Sequence, residues 1–97
     1  MNIQKMMQEA KKMQNDLEKK IKEFNDNDFE FNYKNTILIK IKGSLEIISI
    51  DINKTLIDPD DKKMLEEMIV ESINSAISDV TEKKNKVTKI AMPNLPF

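Results

Sequence analysis

The side chains with chemistry to offer are few in kind. The 97-residue chain carries 16 basic residues, every one a lysine, against 17 acids, and it has neither cysteine nor histidine. Without thiols, disulfides and thiolate metal sites are excluded. Without imidazole, the commonest general base and metal ligand is missing. Without arginine there is no planar fork for bidentate recognition of a phosphate or a guanine. What lysine supplies is a compact positive charge on a flexible stem. Lys5, Lys11, Lys12, Lys19, Lys20 and Lys22 lie in the first 24 residues, and Lys83, Lys84, Lys86 and Lys89 follow the last acid, Glu82. Such sets can neutralise phosphates and release counterions, which gives salt-dependent, sequence-tolerant binding to a polyanion. The plainer role is a solvated helix face stitched by i,i+4 ion pairs, or compensation of a helix dipole at its C-terminal end. Asp16–Lys20, Glu18–Lys22, Lys19–Glu23, Asp79–Lys83 and Glu82–Lys86 have the spacing for such pairs.

Other constellations are weaker. A single glycine excludes a glycine-rich phosphate loop. Asp58, Asp60, Asp61, Glu66, Glu67 and Glu71 lack the loop glycine and alternation of a calcium site, so they read as helix capping and a solvated face. Phe29, Phe31 and Tyr33 alternate as base-stacking aromatics do, but only Lys34 adjoins them, and burial in a core is the better reading. The seven methionines read as packing residues rather than a promiscuous groove. No cofactor, metal site or small-molecule substrate is expected. The composition favours a binding or architectural protein over an enzyme.

The net charge of −1 hides a strong asymmetry. Residues 1–24 net +2, residues 58–82 net −6, and residues 83–97 net +4. An acidic block is followed by a basic end. Met1 to Gln14 is polar and lysine-rich, unlike a signal peptide, and no apolar run exceeds three residues. The expectation is a cytoplasmic protein with no membrane partner.

Two periods organise the chain. Ile3, Ala10, Leu17 and Phe24 recur every seven residues, with Met6 and Met13 three residues after the first two. This predicts a long helix with a near-heptad stripe, ended by Asn25–Asp28. From Phe29 the period becomes two. Phe29, Phe31 and Tyr33 form one strand, and Ile37, Ile39 and Ile41 a second after a turn at Lys34–Asn35. Gly43–Ser44 is expected to supply the positive φ of a hairpin into a third strand, Leu45 to Ile52. There Ile48, Ile50 and Ile52 would share one face and Leu45 and Ile47 the other. A second long helix should begin at Asp58 as N-cap with Pro59 at its first position. Its stripe is Leu65, Ile69, Ile73, Ala76 and Val80. Pro93 and Pro96 close it, leaving an irregular tail at 92–97. The fold class is therefore α+β, one domain over 1–97. A three-stranded antiparallel meander is flanked by long N- and C-terminal helices in the order α-β-β-β-α.

This order and several local motifs resemble the YbaB/EbfC family of bacterial nucleoid-associated proteins. The likeness is carried by Met6–Met7–Gln8–Glu9–Ala10–Lys11–Lys12–Met13–Gln14 in the first helix and by Ile39–Lys40–Ile41–Lys42–Gly43 at the hairpin. Ile47–Ile48–Ser49–Ile50–Asp51–Ile52 in the third strand and Asp60 to Ile69 at the start of the last helix add to it. The resemblance implies a homodimer without enzymatic activity. It would bind double-stranded DNA with little sequence specificity, its sheets at the dimer core and its helices projecting as arms. The DNA-binding residues would be the ten lysines named first. The dimer interface would be Ile37, Ile39, Ile41, Leu45 and Ile47 with Met6 and Met13. The family has a glycine-rich stretch where this chain reads Asn32–Tyr33–Lys34–Asn35–Thr36. The alternative is a helix-mediated protein–protein interaction module that binds no DNA.

Overall fold

The computed structural model describes residues 2–91. Its elements are helix α1 (Ile3–Asp26), strands β1 (Asp28–Tyr33), β2 (Ile37–Lys42) and β3 (Ile47–Ile52), two 3-10 turns (Lys54–Leu56 and Pro59–Asp61), and helix α2 (Lys62–Ala91). The order is α-β-β-β-α and the class α+β, as the periodicity predicts. The tail at 92–97 lies outside the described residues.

The sheet is a meander, β1-β2-β3, antiparallel throughout. β1 and β2 pair without interruption from Asp28↔Lys42 to Tyr33↔Ile37. Phe29, Phe31 and Tyr33 thereby share a face with Ile41, Ile39 and Ile37. Asp28 and Glu30 oppose Lys42 and Lys40 on the other face, which places opposite charges across the strands. The β2–β3 pairing is irregular beside Lys40 and Ile41: Ile50 pairs with Ile39, but Ile47 pairs with Ile41. One extra residue, Ile48, sits in β3 as a bulge. It returns Ile47 to the face of Ile50 and Ile52, whereas uninterrupted alternation would place Ile47 opposite them.

α2 lies across β1 and β2 and leaves β3 bare. The helix comes close because its contact stripe is small. Ser72, Ala76 and Val80, four residues apart, are all fully buried over Ile37, Ile39 and Ile41. The Ser72 hydroxyl donates to the Ile69 carbonyl at 2.9 Å, so burying it leaves no unpaired polar group. Tyr33 completes the core and donates its phenolic O–H to Glu71 Oε2 at 2.5 Å. The aromatic strand is thus a core strand, as the sequence suggests.

Three local expectations are corrected. Gly43 does not take positive φ; Leu45 does, at 75°, and Lys34 (49°) and Asn35 (57°) form the other turn. The glycine is required for close approach instead. A Cβ there would stand 1.9 Å from the Phe24 carbonyl oxygen. Gly43 N–H donates to Asn27 O and Ser44 N–H to Asn25 O, which ties the end of α1 to the hairpin. Asp58 caps a 3-10 turn, accepting from Asp60 N–H at 2.9 Å, and α2 proper starts at Lys62. Of the five predicted i,i+4 ion pairs, only Asp79–Lys83 forms among the described residues, at 3.0 Å.

The molecule is elongated, 72 × 22 × 16 Å, with a radius of gyration of 19.3 Å. A compact chain of this length would have about 12–13 Å. The difference comes from α1, which packs on α2 and makes no comparable contact with the sheet. Phe24 is buried and Leu17 and Ile21 half-buried, but residues 2–16 are exposed throughout. That half of the helix projects as an arm.

Candidate nucleic-acid interface

Two contacts orient α2 on the sheet. Glu71 meets Tyr33 at one end of β1, and the Lys83 ammonium lies 5.3 Å from the Phe29 ring centre at the other. α2 therefore runs antiparallel to β1. The part of α2 that carries Glu66, Glu67 and Glu71 occupies the Tyr33 end, and its lysine-rich last turns the Phe29 end. α1 finishes at Asp26, directly before β1, so it too joins at the Phe29 end, where Phe24 and Phe29 stack at 5.0 Å. The two lysine sets, about sixty residues apart in sequence, are thus carried on the same side of the sheet, beyond its Phe29 end. The acids of the block from Asp58 to Glu71 sit at the opposite pole, and Asp79 and Glu82 lie beside the lysines.

On α1 the six lysines are all exposed, and none forms a salt bridge among the described residues. Their stems are unconstrained and their charges solvated, as contact with a polyanion needs. On α2 the four lysines differ. Lys83 is held by Asp79 and by the Phe29 ring, so its charge is already used within the fold. Lys84 is half-buried, and Lys86 and Lys89 are exposed. Among the other six lysines, Lys40 and Lys42 face acids across the sheet, Lys34 lies 5.1 Å from the Tyr33 ring centre, and Lys62 pairs with Glu66 at 3.5 Å.

The residues expected between two copies separate into three groups. Ile37, Ile39 and Ile41 are 0–1% exposed beneath α2 of their own chain. They are this chain's core, because α2 takes the sheet face that the sequence pattern left open to either partner. Leu45 and Ile47 are exposed, as are Met6 and Met13. Reading the sequence missed the neighbours of Ile47. Ile48 and Ile50 are also exposed, and with Ile47 they line the unpaired β3 edge of the sheet at 37–42% exposure; Leu38, exposed too, lies on the central strand β2. The signal was present as a β3 apolar on both faces, with no proline and no lysine to blunt its edge.

Two of the cavities among the described residues are shallow. One, of about 250 Å³, is lined by Asn32, Asn35, Thr36, Asp51 and Asn53 where the strands end. The other, of about 410 Å³, runs along α2 beside Lys63, Glu66, Glu67 and Val70. Neither brings a nucleophile to a base. Among the described residues no helix is long and apolar enough to cross a membrane.

The chain is similar in sequence to several nucleoid-associated proteins. A nucleoid-associated protein of Malacoplasma penetrans is 63% identical over 93 residues, covering 96% of this chain and 99% of the relative. One from Ureaplasma urealyticum is 43% identical over 93 residues, 96% and 94% of the two chains. A nucleoid-associated protein of Streptococcus sanguinis is 31% identical over 98 residues, 100% and 99%. The family model of the YbaB/EbfC DNA-binding family, which is not an enzyme class, matches residues 1–95. With that match over nearly its whole length, the chain belongs to the YbaB/EbfC DNA-binding family.

Proposed function

We propose that this protein is a nucleoid-associated DNA-binding protein of the cytoplasm that acts as a homodimer. It grips duplex DNA through lysine–phosphate contacts on its projecting helices, with little sequence specificity. The observation that carries the reading is the convergence of two distant lysine sets at one end of the molecule, within a chain of a DNA-binding family. Lys5, Lys11, Lys12, Lys19, Lys20 and Lys22 on α1 and Lys84, Lys86 and Lys89 on α2 are the contacts; Lys83 is secondary, being paired. Phosphate contacts fix position and carry no base information. Arginine, whose rigid planar fork suits bidentate contact with guanine in the major groove, is absent. The acidic pole, net −4 over 58–71, repels the duplex and leaves the opposite end as the side that meets it.

The homodimer rests on the bare β3. An unpaired, apolar strand edge is a template for pairing with its own copy. Antiparallel β3–β3 pairing about a two-fold axis would join two sheets into one of six strands and cover Ile47, Ile48 and Ile50. Two copies then present two basic arms.

The test is fluorescence anisotropy of two unrelated labelled duplexes, each at low and moderate salt. Similar affinity for both and a steep fall with salt are expected. Reversal of Lys84, Lys86 and Lys89 to glutamate should weaken both duplexes equally. Loss confined to one duplex would refute phosphate gripping. Binding to neither at low salt would leave the exposed stripe of α1 as the molecule's contact surface and favour the protein–protein module. Light scattering on Ile48→Lys separates dimer from grip: the variant should fall to the monomer mass.

A further inference from the structure

Beyond the Phe29 end of the sheet, α1 and α2 lie side by side. Phe24 and Lys83 both meet the Phe29 ring, and the 72 Å length of the molecule requires α1 to run outward from there, antiparallel to α2. The two helices rise alike per residue, so Lys19 is about level with Thr88 and Lys22 with Asn85. Burial marks the faces they turn to each other. On α1 these are buried Phe24 with half-buried Leu17 and Ile21. On the last turns of α2 they are Lys84, Val87 and Thr88, each half-buried beside exposed neighbours. A helix turns about 100° per residue, which fixes where the other side chains stand. Lys5, Lys11, Lys12, Lys19 and Lys22 fall more than about 110° from the middle of the α1 stripe, and Lys86 and Lys89 about 150° from the middle of the α2 stripe. The two lysine sets therefore stand back to back, on the outer faces of the helix pair.

We propose that these two faces hold two separate duplexes, so that each chain bridges DNA segments rather than gripping one with both lysine sets. The inference rests on the DNA-binding reading and deepens it. Two packed helices with their side chains are about 20 Å through, given axes about 8–10 Å apart. Phosphates drawn to Lys19 on one side thus lie well beyond a Debye length, about 8 Å at physiological salt, from Lys86 and Lys89 on the other. A straight duplex on one face leaves the other set unneutralised. For the same reason two duplexes hardly repel each other across the helix pair. Asp16 and Glu23 share the outer face of α1, and Glu82 shares that of α2. Yet neither outer lysine set forms an ion pair among the described residues, so the ammonium groups are free to meet phosphates. Each face then binds by its own phosphate contacts and its own counterion release, without regard to sequence. The face of α1, with five lysines to two, takes the first duplex.

The test counts duplexes per chain. A labelled duplex of one helical turn, about 10 base pairs, is titrated into the full-length protein at low salt, and sedimentation equilibrium reads the mass at saturation. Two duplexes per chain are expected, whatever the number of chains in the assembly. Lys86→Gln with Lys89→Gln, both at exposed positions, should halve this to one per chain and leave the affinity for the first duplex unchanged. The thermal melt of that variant should overlay the parent's, which excludes misfolding as the cause. Saturation of the parent at one duplex per chain or fewer would overturn the proposal. A several-fold fall in first-duplex affinity in the variant would overturn it too, because the two sets would then be gripping one duplex together. In both cases the DNA-binding reading survives. Absence of any duplex binding by the parent would sink that reading and this one with it, so the two failures are told apart.

Discussion

At the sheet end, Ile37, Ile39 and Ile41 lie under Ser72, Ala76 and Val80 with essentially no exposure; along the first half of α1, every residue from 2 to 16 is exposed. Both regions carry apolar residues at regular spacing, and neither has a proline to disturb it. What separates them is the neighbour. Over the sheet, α2 offers a stripe of small side chains, so the helix seats closely and the isoleucines fill the space. Along the arm there is no second layer among the described residues. The buried core lies at one end of a long molecule and an exposed helix at the other. The arm can then carry many exposed lysines without loading the core, since a solvated lysine contributes little to folding either way.

This contrast can be broken at its stable end first. Ile39→Ala opens a cavity in the middle of the core and should cost about 2–5 kcal/mol, a large part of the roughly 5–15 kcal/mol a domain possesses. Thermal unfolding followed by circular dichroism checks it, and a loss of a few tenths would mean the sheet end is not the seat of stability. Gly43→Ala tests the joint between the two regions. Its Cβ would fall 1.9 Å from the Phe24 carbonyl oxygen, so the end of α1 must shift, at about 1–3 kcal/mol. The same melt reads it. The smallest effect on stability belongs to the arm. Lys11→Gln with Lys12→Gln should leave the melting curve within about 0.5 kcal/mol of the parent. The pair should instead lower the salt dependence of duplex binding by roughly two in log–log slope. If the melt moved and the slope did not, the arm would be a structural element.

The kind and order of the elements can be read directly along the chain, because period is a local property. Seven-residue recurrence from Ile3 to Phe24 and alternation from Phe29 to Tyr33 each need only their own neighbours. The lysine sets were equally visible as sets. Their convergence was not, since it depends on the direction in which α2 crosses the sheet, and that is settled by the Tyr33–Glu71 and Phe29–Lys83 contacts across some forty to fifty residues. Nor did alternation reveal which apolar face α2 would claim, so Ile37, Ile39 and Ile41 read equally well as core or as interface. One extra residue in β3 turned Ile47 to the face of Ile50, a change of register that pairing decides. The role of Gly43 shows the same division. Its presence at a hairpin is plain in the sequence, but its cause is the Phe24 carbonyl nineteen positions earlier, brought close only by the packing of α1. What the sequence determined by itself was element type, charge and the absence of arginine, cysteine and histidine. The tertiary structure decided which surfaces are spent on the core and which are left to meet a partner, because burial is a property of pairs of elements and not of either alone.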